Sequence, residues 1–449
     1  MKTAMGLLFC LLSIGLFLTS CEQQTTDLPS SELEIQSELT TYFALKGNTI
    51  RDLDFPPQSI QPRTTSFGSF SLPVEGIEGV SFKGAVAPNS RPWYANWSFY
   101  DRVIHGGMSQ AIDDLPVEVV SDNGGEGTGT TTWTNDKIWV LDGVVFINRG
   151  DVLTIEPGTV IQGREGIGRR ASALVVARGG KIIAEGDTSR PIIFTYEGDK
   201  GETDPTVRGK WGGLILLGDA VINSDLGTNS VEGLSPADNR AYFGGNNDED
   251  NSGVLRYVSI RHSGSKFGID NNEINGLTLG AVGSKTIIEK VEVVGTLDDG
   301  FEWFGGTVNC KNIIAAYCGD DALDYDLGYR GKNQFVIVQQ DETVGDKGGE
   351  HSGGDNATAL PYSAPVFFNV TSIGRPASKA VLFNNNAGGE YHNSIFMNYG
   401  EGVEIEYVEN SQFHSFRQFQ EGNLKIENNI FFNIQSGTLP QDLLKVNFK

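Results

Sequence analysis

The most restrictive feature of this sequence is a pair of apolar residues, separated by one residue, that returns at a constant distance. Val291/Val293 is followed by Ile313/Ala315 and then Phe335/Ile337, and both separations (291→313 and 313→335) are 22 residues. This recurrence predicts the coil of a right-handed parallel β-helix, whose coils stack at about 4.8 Å. Four further candidate inward pairs fit if residues 264–272 and 340–365 are insertions: Val258/Ile260, Val370/Ser372, Ile395/Met397 and Ile430/Phe432.

The chain before these pairs also consists of short β-like segments. Apolar runs such as residues 144–146 and 153–155 are separated by glycine turns, and helical periodicity is absent. The 57 glycines and 39% apolar residues favour a large core interrupted by turns. Neither a leucine-rich repeat nor a propeller matches the period. We predict an all-β protein with a β-helix over residues 132–449 and asparagine ladders at its bends, at Asn312, Asn369 and Asn429.

The first residues have the layout of an export signal. Lys2 precedes an apolar stretch at 6–18, which is shorter than the roughly 20 residues of a membrane-spanning helix. The run LTSC at 18–21 resembles the bacterial lipobox, and the resemblance implies that residues 1–20 are removed and that Cys21 is lipidated. Several acyl chains on one residue make such an anchor effectively permanent.

Two segments separate the predicted anchor from the β-helix. Residues 21–54 are expected to form the lipidated N-terminus and a tether, with a short amphipathic helix over 31–45. Residues 55–131 are expected to form an N-terminal cap. Their aromatic run at 92–100 is expected to cover an open end of the β-helix, where strand edges would otherwise be exposed.

Charge and cysteine content restrict the partners and the covalent chemistry. The formal charge is −23, and loss of Lys2 with the signal peptide changes it to −24. A surface this acidic excludes nucleic acid and suits divalent cations. Beyond Cys21 only Cys310 and Cys318 remain, at positions where the repeat places apolar residues. Buried free thiols are predicted, and a disulfide is the alternative in an oxidising compartment.

The strongest candidate site is a ladder of carboxylates. The segments LDDGFE at 297–302 and GDDALD at 319–324 align at an offset of 22, so acidic residues stack on acidic residues in three columns. Two like charges at about 4.8 Å repel by roughly 3.5 kcal/mol at an effective dielectric of 20. A bound cation, solvent, or a proton held for catalysis could relieve this repulsion. Oxygen-only ligands favour Ca²⁺, and its expected ligands are Asp298, Asp299, Glu302, Asp320, Asp321 and Asp324.

Three longer blocks carry a family resemblance. The segments LTIEPGTVI at 153–161, WGGLILLG at 211–218 and DGFEWFGG at 299–306 resemble the pectin-lyase-like β-helix surface lipoproteins of Bacteroidota. The resemblance covers the chain from about Trp93 onward. It implies the fold and a cell-envelope location, but no reaction, because most members have no assigned activity.

The same acidic positions support a catalytic alternative. Asp299, Asp320 and Asp321 resemble the acidic triad of polygalacturonase-type inverting hydrolases, in which one carboxyl group acts as acid and another activates water. The chain departs from that family: Leu297-Asp298 replaces an Asn-Thr pair, and His351 comes 30 residues after Asp321 rather than about one coil later. The family's Arg-Ile-Lys stretch has no counterpart either, so no catalytic residue is assigned.

Other residues near the ladder have less specific roles. Trp303 and Phe304 could form a sugar-stacking platform, although burial at a bend is the simpler expectation. Arg330 and Lys332 could serve a lyase or pair with Asp324 and Asp326. The acidic run at 246–251 is expected to be a solvated loop, although its composition resembles a calcium loop.

Together these patterns predict a lipid-anchored outer-membrane protein with a calcium-stabilised acidic face. The face is expected to bind polysaccharide or an outer-membrane partner. A polysaccharide-degrading enzyme and an accessory subunit of a TonB-dependent transporter are the alternatives. Cell-surface exposure is expected, and a periplasm-facing anchor stays open because residues 22–24 lack a strongly acidic export run.

Overall fold

The computed structural model describes residues 32–51, 75–107, 111–166, 171–267, 272–354 and 356–449. The predicted signal peptide and Cys21 lie outside this part of the chain. None of the described helices is long and apolar enough to cross a membrane. The helices are α1 (Glu32–Leu45), α2 (Phe99–His105), α3 (Ser415–Gln420) and α4 (Pro440–Leu443).

The described residues form 31 strands, most of them short. In chain order they are β1 (Thr49–Arg51), β2 (Val117–Val120), β3 (Thr131–Trp133), β4 (Ile138–Leu141), β5 (Val144–Ile147), β6 (Val152–Ile155), β7 (Val160–Gly163), β8 (Ala173–Val176), β9 (Lys181–Glu185), β10 (Ile192–Tyr196), β11 (Leu214–Leu217), β12 (Asn229–Ser230), β13 (Tyr242–Phe243), β14 (Gly253–Arg261), β15 (Lys266–Phe267), β16 (Asn272–Glu273), β17 (Leu277–Gly280), β18 (Ile287–Val294), β19 (Phe301–Phe304), β20 (Asn309–Ala316), β21 (Leu323–Asp326), β22 (Lys332–Gln339), β23 (Glu350–Ser352), β24 (Val366–Ile373), β25 (Lys379–Asn384), β26 (Gly389–His392), β27 (Ile395–Met397), β28 (Glu401–Tyr407), β29 (Leu424–Glu427), β30 (Ile430–Phe432) and β31 (Leu444–Phe448).

Apart from two short antiparallel pairs, β12–β13 and β15–β16, these strands stack in parallel into three faces, and the predicted all-β right-handed parallel β-helix is confirmed. One face is a ten-stranded sheet that runs from β5 at its N-terminal edge to β31 at its C-terminal edge; we call it sheet B. The other two faces belong to a 17-stranded sheet that folds along its length. The fold occurs inside the long strands: β9 pairs with the first half of β14, and β10 pairs with its second half.

A single residue in the left-handed conformation makes this bend in each long strand. Tyr257, Lys290, Asn312, Phe335 and Asn369 occupy the bend position, with φ between 52° and 59°, and none of them takes part in the strand pairing. Asparagine tolerates this conformation better than most residues, which explains Asn312 and Asn369. At the third predicted bend the left-handed residue is Asn428 rather than Asn429.

The register corrects three of the predicted inward pairs by one residue. Ile313 pairs with Val336, so Val336 and Val338 enter the core while Phe335 takes the bend position. Ile337 instead packs on the outer side of the sheet. In the last coils the core residues are Phe396 and Phe431, not the flanking pairs Ile395/Met397 and Ile430/Phe432.

The N-terminal cap lies along the side of the β-helix rather than over its end. Tyr94, Phe99 and Tyr100 pack against outward-facing residues of β18, β20 and β22, including Ile314. The buried carboxylate of Glu292 accepts hydrogen bonds from the first two backbone N–H groups of α2, at 2.6 and 3.1 Å. The expectation that the aromatic run covers an open end is therefore wrong. The first coil also begins earlier than residue 132, because β2 already pairs with β4.

The C-terminal end is covered by the segment predicted to be a tether. Helix α1 packs against α4 and β31 through Ile35, Leu39 and Phe43, and β1 extends the bent sheet beside β30. Residues 32–51 are thus a structural part of the last coil. Cys310 and Cys318 are both buried free thiols, in agreement with the prediction, and burial raises the pKa of each to about 12.

Candidate functional site

The structure brings all six predicted metal ligands together on two consecutive coils. Four lie where the chain turns into sheet B, ahead of β19 and β21, and Glu302 and Asp324 lie on the outward side of those strands; the next coil, which leads into β23, adds Asp346 and Glu350. Glu302 pairs in register with Asp324, and the Asp321 N–H donates to Asp299 Oδ1 at 2.9 Å. We call the following set the acidic cluster: Asp298, Asp299, Glu302, Asp320, Asp321, Asp324, Asp346 and Glu350. Within it, four overlapping groups of three residues place carboxylate oxygens within 4.8 Å of one another.

Small residues in the turns permit this close stacking. A Cβ atom at Gly319 would lie 1.9 Å from the carbonyl oxygen of Leu297 on the preceding coil. A Cβ atom at Gly300 would lie 2.6 Å from the carbonyl oxygen of Ala322 on the next coil. Real side chains do not tolerate either distance, so both positions require glycine. The turns that carry the acidic residues therefore stack directly on one another.

The cluster has a buried inner layer and an exposed outer layer. Asp299, Glu302 and Asp321 are buried, whereas Asp320 and Asp346 are exposed. Burial raises the pKa of Asp299, Glu302 and Asp321 well above the usual range of carboxyl groups, and neighbouring carboxylates raise it further. The environment of the inner layer therefore disfavours the charged forms of these carboxyl groups.

Asp324 links the columns of the cluster. Burial and the charges of Glu350 and Asp326 raise its pKa well above the usual value, although a side-chain hydrogen bond with Asp299 opposes the rise. A hydrogen bond between two carboxyl groups needs one shared proton. The other oxygen of Asp324, Oδ1, is buried and has no hydrogen-bond partner among the described residues. One buried oxygen of Asp324 therefore lacks a hydrogen-bond partner in the described part of the chain.

Lys347 is a basic residue within the cluster that sequence analysis did not identify. Its ammonium lies 3.5 Å from Asp321 Oδ2 and 3.2 Å from Glu350 Oε2, and it also pairs with Asp346. Burial lowers the pKa of Lys347, but the carboxylates outweigh this effect and hold it above its usual value. Lys347 is therefore charged and neutralises part of the cluster.

Sequence reasoning also missed Asp346 and Glu350, for a simple reason. Asp324 follows Glu302 by 22 residues, but Glu350 follows Asp324 by 26, because this coil contains four more residues. Only the register shows that Asp324 and Glu350 are neighbours. Asn275, one coil before Asp299, also belongs here: its amide donates to Glu302, and its Oδ1 is buried without a hydrogen-bond partner among the described residues.

A cleft of about 480 Å³ adjoins the cluster on its C-terminal side. It shares Asp346 with the cluster and is otherwise lined by polar groups and small residues of the next coils, including Ser378, Lys379, Glu401 and Lys445. The ammonium nitrogen of Lys379 forms an ion pair with Oε2 of Glu404 at 2.6 Å. The cleft is thus open, polar and continuous with the outer layer of the cluster.

His351 and Trp303 are in the core and do not face the cluster. His351 lies on β23, fully buried, and stacks on Tyr325 at 4.0 Å while its Nε2 shares a 2.7 Å hydrogen bond with Tyr391. Burial lowers its pKa to about 3, so the ring is neutral. Trp303 is buried against Tyr329, and Phe304 packs in a second apolar cluster. The structure therefore does not combine His351 with Asp299, Asp320 and Asp321, and Trp303 forms no exposed platform.

The remaining charged residues have structural partners. Arg330 pairs with Asp248 at 2.9 Å, and Lys332 donates to the carbonyl oxygen of Glu75, so the expected pairing with Asp324 and Asp326 is wrong. Asp248 also accepts from the backbone N–H of Val221 at 3.0 Å. The acidic loop at 246–251 is thus tied into the fold.

Comparison with known proteins gives one match. The family model of the pectate-lyase-like beta helix domain matches residues 125–446. No curated protein and no solved structure matches the chain. The matched region covers more than two thirds of the sequence and contains the acidic cluster and the cleft, and the chain therefore belongs to the pectate-lyase-like β-helix family.

Proposed function

We propose that this chain is a cell-envelope protein that binds carbohydrate through Ca²⁺ held in the acidic cluster. The observation that carries the proposal is the stack formed by the buried carboxyl groups of Asp299, Glu302 and Asp321 with the half-buried Asp324. The pKa values of all four are raised. Lys347 neutralises only part of their charge. Membership of a pectate-lyase-like family supports a carbohydrate-related role.

The donor set suits calcium better than other metals. Ca²⁺ takes six to eight oxygen ligands in flexible geometry, and carboxylates and amide oxygens are its usual donors. The cluster offers carboxylates together with two buried oxygens that have no hydrogen-bond partner in the described chain, Asp324 Oδ1 and Asn275 Oδ1. No histidine or cysteine is part of the four acidic groups, so zinc is disfavoured.

The outer layer provides the route to a glycan. A cation on Asp320, Asp321 and Asp346 would lie at the surface, since Asp320 and Asp346 are exposed. Paired hydroxyls or a carboxylate of a sugar can complete its coordination. The next sugar residue would enter the adjoining cleft, where Lys445 offers a hydrogen-bond donor.

Isothermal titration calorimetry tests both Ca²⁺ binding and Ca²⁺-dependent glycan binding. We expect Ca²⁺ to bind the wild-type protein and glycan to bind only when Ca²⁺ is present. The double variant Asp320→Asn/Asp346→Asn should weaken both affinities by about tenfold or more, equivalent to roughly 1.4 kcal/mol. The matched control is Glu249→Gln, which removes an exposed carboxylate paired with Lys285 outside the cluster. Absence of Ca²⁺ binding to the wild type, or equal losses in control and double variant, would refute the proposal.

One observation favours a hydrolase as second candidate. Burial and neighbouring carboxylates raise the pKa of Asp299 well above its usual value, as a general acid requires, and Asp320 and Asp321 lie beside it. Incubation with polysaccharides should then release new reducing ends, and Asp299→Asn and Asp321→Asn should abolish the release. A polysaccharide panel without any such products would exclude this candidate.

The envelope location rests on the lipobox-like run that ends at Cys21. We propose lipidation there and attachment to the outer membrane, with its cell-surface side as the expected location. Radiolabelled palmitate should enter the wild type and not Cys21→Ala, and whole-cell protease treatment distinguishes the two sides of the membrane. Co-purification from native membranes would identify a TonB-dependent transporter as a partner.

A further inference from the structure

Helix α1 covers the free edge of β31, the last strand of sheet B. Its Gln36 side chain forms the backbone hydrogen bonds that a further strand would form with β31. The side-chain amide of Gln36 donates to the carbonyl oxygen of Leu444 at 2.8 Å and accepts from the N–H of Val446 at 3.2 Å. On the adjacent face Asn48 does the same, donating to the carbonyl oxygen of Ile426 and accepting from the N–H of Asn429. The N-terminal part of the chain is therefore attached to the C-terminal end of the β-helix.

This end exposes several large apolar side chains. Leu33 and Leu45 on α1 are 84% and 77% exposed, and Leu439 at the start of α4 is 54% exposed. Phe448 on the edge strand β31 is 36% exposed. We call these four residues and the outer side of α1 the cap face. A group of exposed apolar residues at one end is typical of an interaction surface, although Leu226, Ile287 and Leu360 are also exposed outside this end.

The short distance along the chain between Cys21 and α1 indicates which partner the cap face contacts. Cys21 precedes Glu32, the first residue of α1, by 11 residues, which span at most about 40 Å when fully extended. Sheet B has ten strands, so its two edges are about 43 Å apart at the usual strand spacing. Val117 and Val119 are also exposed at the opposite end, but that end is distant from α1.

We propose that the cap face rests on the lipid surface to which Cys21 anchors the chain, with the β5 edge pointing away from the membrane. This inference rests on the anchor proposed above. The partner is the headgroup region rather than the hydrocarbon core, because Glu32, Glu34 and Glu38 lie on the same helix as the leucines. These carboxylates also favour zwitterionic over anionic lipids. The acidic cluster, whose last strand β23 lies three strand spacings from β31, would stand about 14 Å above β31, with α1 between β31 and the membrane and with the cleft turned sideways.

Förster resonance energy transfer from a donor dye on the protein to an acceptor dye on a lipid measures which end of the β-helix lies near the membrane. Full-length protein is reconstituted in phosphatidylethanolamine/phosphatidylcholine vesicles that contain an acceptor lipid. A donor dye is attached at Thr41→Cys on the exposed side of α1, or at Thr132→Cys in the exposed part of β3 at the other end. Cys310 and Cys318 are buried and should not react, which the unsubstituted protein checks. We expect strong transfer from position 41 and near-zero transfer from position 132.

Each outcome has a definite meaning. Equal transfer from both positions shows that the β-helix lies on its side, and stronger transfer from position 132 shows the opposite orientation; either result overturns the proposal. A second pair, Ser37→Cys and Asp136→Cys, repeats the measurement at other exposed positions. Protein that does not remain on the vesicles overturns the anchor together with the orientation. Protein that remains on them with equal transfer overturns the orientation alone.

Discussion

The backbone N–H of Asp321 donates a 2.9 Å hydrogen bond to Oδ1 of Asp299, one coil earlier in the β-helix. The next coil repeats the contact, because the N–H of Lys347 donates to Oδ1 of Asp321 at 2.6 Å. These bonds fix the carboxyl groups at the spacing of the strands, about 4.8 Å. The carboxyl groups are thus held close together, and Lys347 offsets only part of their mutual repulsion.

The benefit of Ca²⁺ should therefore depend on pH. The inner carboxyl groups have folded pKa values above the unfolded values of 3.8 for Asp and 4.5 for Glu, so the folded state binds protons more tightly. Without metal, this contribution to stability is present at low pH and is lost as pH rises above about 4. We expect the melting-temperature difference between Ca²⁺ and EDTA to grow steadily from pH 5 to pH 8. A difference independent of pH would contradict a shared proton and metal site.

Neutralising one inner acid should stabilise the metal-free protein. Asp324→Asn removes a buried charge whose pKa is raised by burial, Glu350 and Asp326. At pH 8 in EDTA we expect the free energy of unfolding to increase by about 1–3 kcal/mol, with the stabilisation by Ca²⁺ largely lost. Chemical denaturation measures both effects. Glu249→Gln is the control, and a destabilised Asp324→Asn variant in EDTA would show that the hydrogen bonds of Asp324 outweigh its repulsion by the neighbouring carboxylates.

Removing the basic residue of the cluster should have the opposite effect. Lys347→Met leaves Asp321, Asp346 and Glu350 without their shared ammonium. We expect a loss of about 3 kcal/mol in EDTA, since breaking a buried ion pair leaves uncompensated charge, and partial recovery with Ca²⁺. Lys311→Met is the matched control, because its partner Glu78 is exposed and such surface pairs contribute at most about 1 kcal/mol. Equal losses in the two variants would contradict the assignment.

His351 provides a test that separates structure from chemistry. The ring is neutral in the core with a pKa of about 3, against 6.5 in the unfolded chain, so its contribution to stability is lost as pH falls from about 6.5 toward 3. We expect His351→Gln to lower the melting temperature at neutral pH and to weaken this acid dependence, with Ca²⁺ affinity unchanged. A folded His351→Gln variant that lost glycan cleavage or binding would restore this histidine to the candidate site.

The architecture was predictable because stacking makes the sequence periodic. Coils of 22 residues place Asp299 on Asp321 and Glu302 on Asp324, so one local spacing predicts both the β-helix and most of the acidic cluster. The period fails where a coil changes length. Asp324 and Glu350 are neighbours although they are 26 residues apart in the sequence. A constant spacing of 22 residues therefore did not predict that Asp346, Lys347 and Glu350 belong to the cluster.

Two other features could not be read from local patterns. Phe335 occupies the bend, and Ile337 is buried beneath the N-terminal cap on the outer side of the sheet. Both residues are as apolar as the core residues beside them. Apolar character therefore did not distinguish the inner from the outer side of β22. The closing role of α1 depends on contacts between residues about 408 positions apart, such as Gln36 and Leu444, which no periodicity encodes.

The Gln36 amide gives a direct test of that closing role. Gln36→Ala leaves the carbonyl oxygen of Leu444 and the N–H of Val446 without their partner, and each unsatisfied buried group costs about 1–3 kcal/mol. We expect a lower melting temperature and, because β31 becomes an open edge, concentration-dependent association in sedimentation velocity. Ser37→Ala, on the exposed side of the same helix, should change neither property. An unchanged melting temperature in Gln36→Ala would mean that α1 closes the edge through Ile35, Leu39 and Phe43 alone, since these side chains remain packed in the variant.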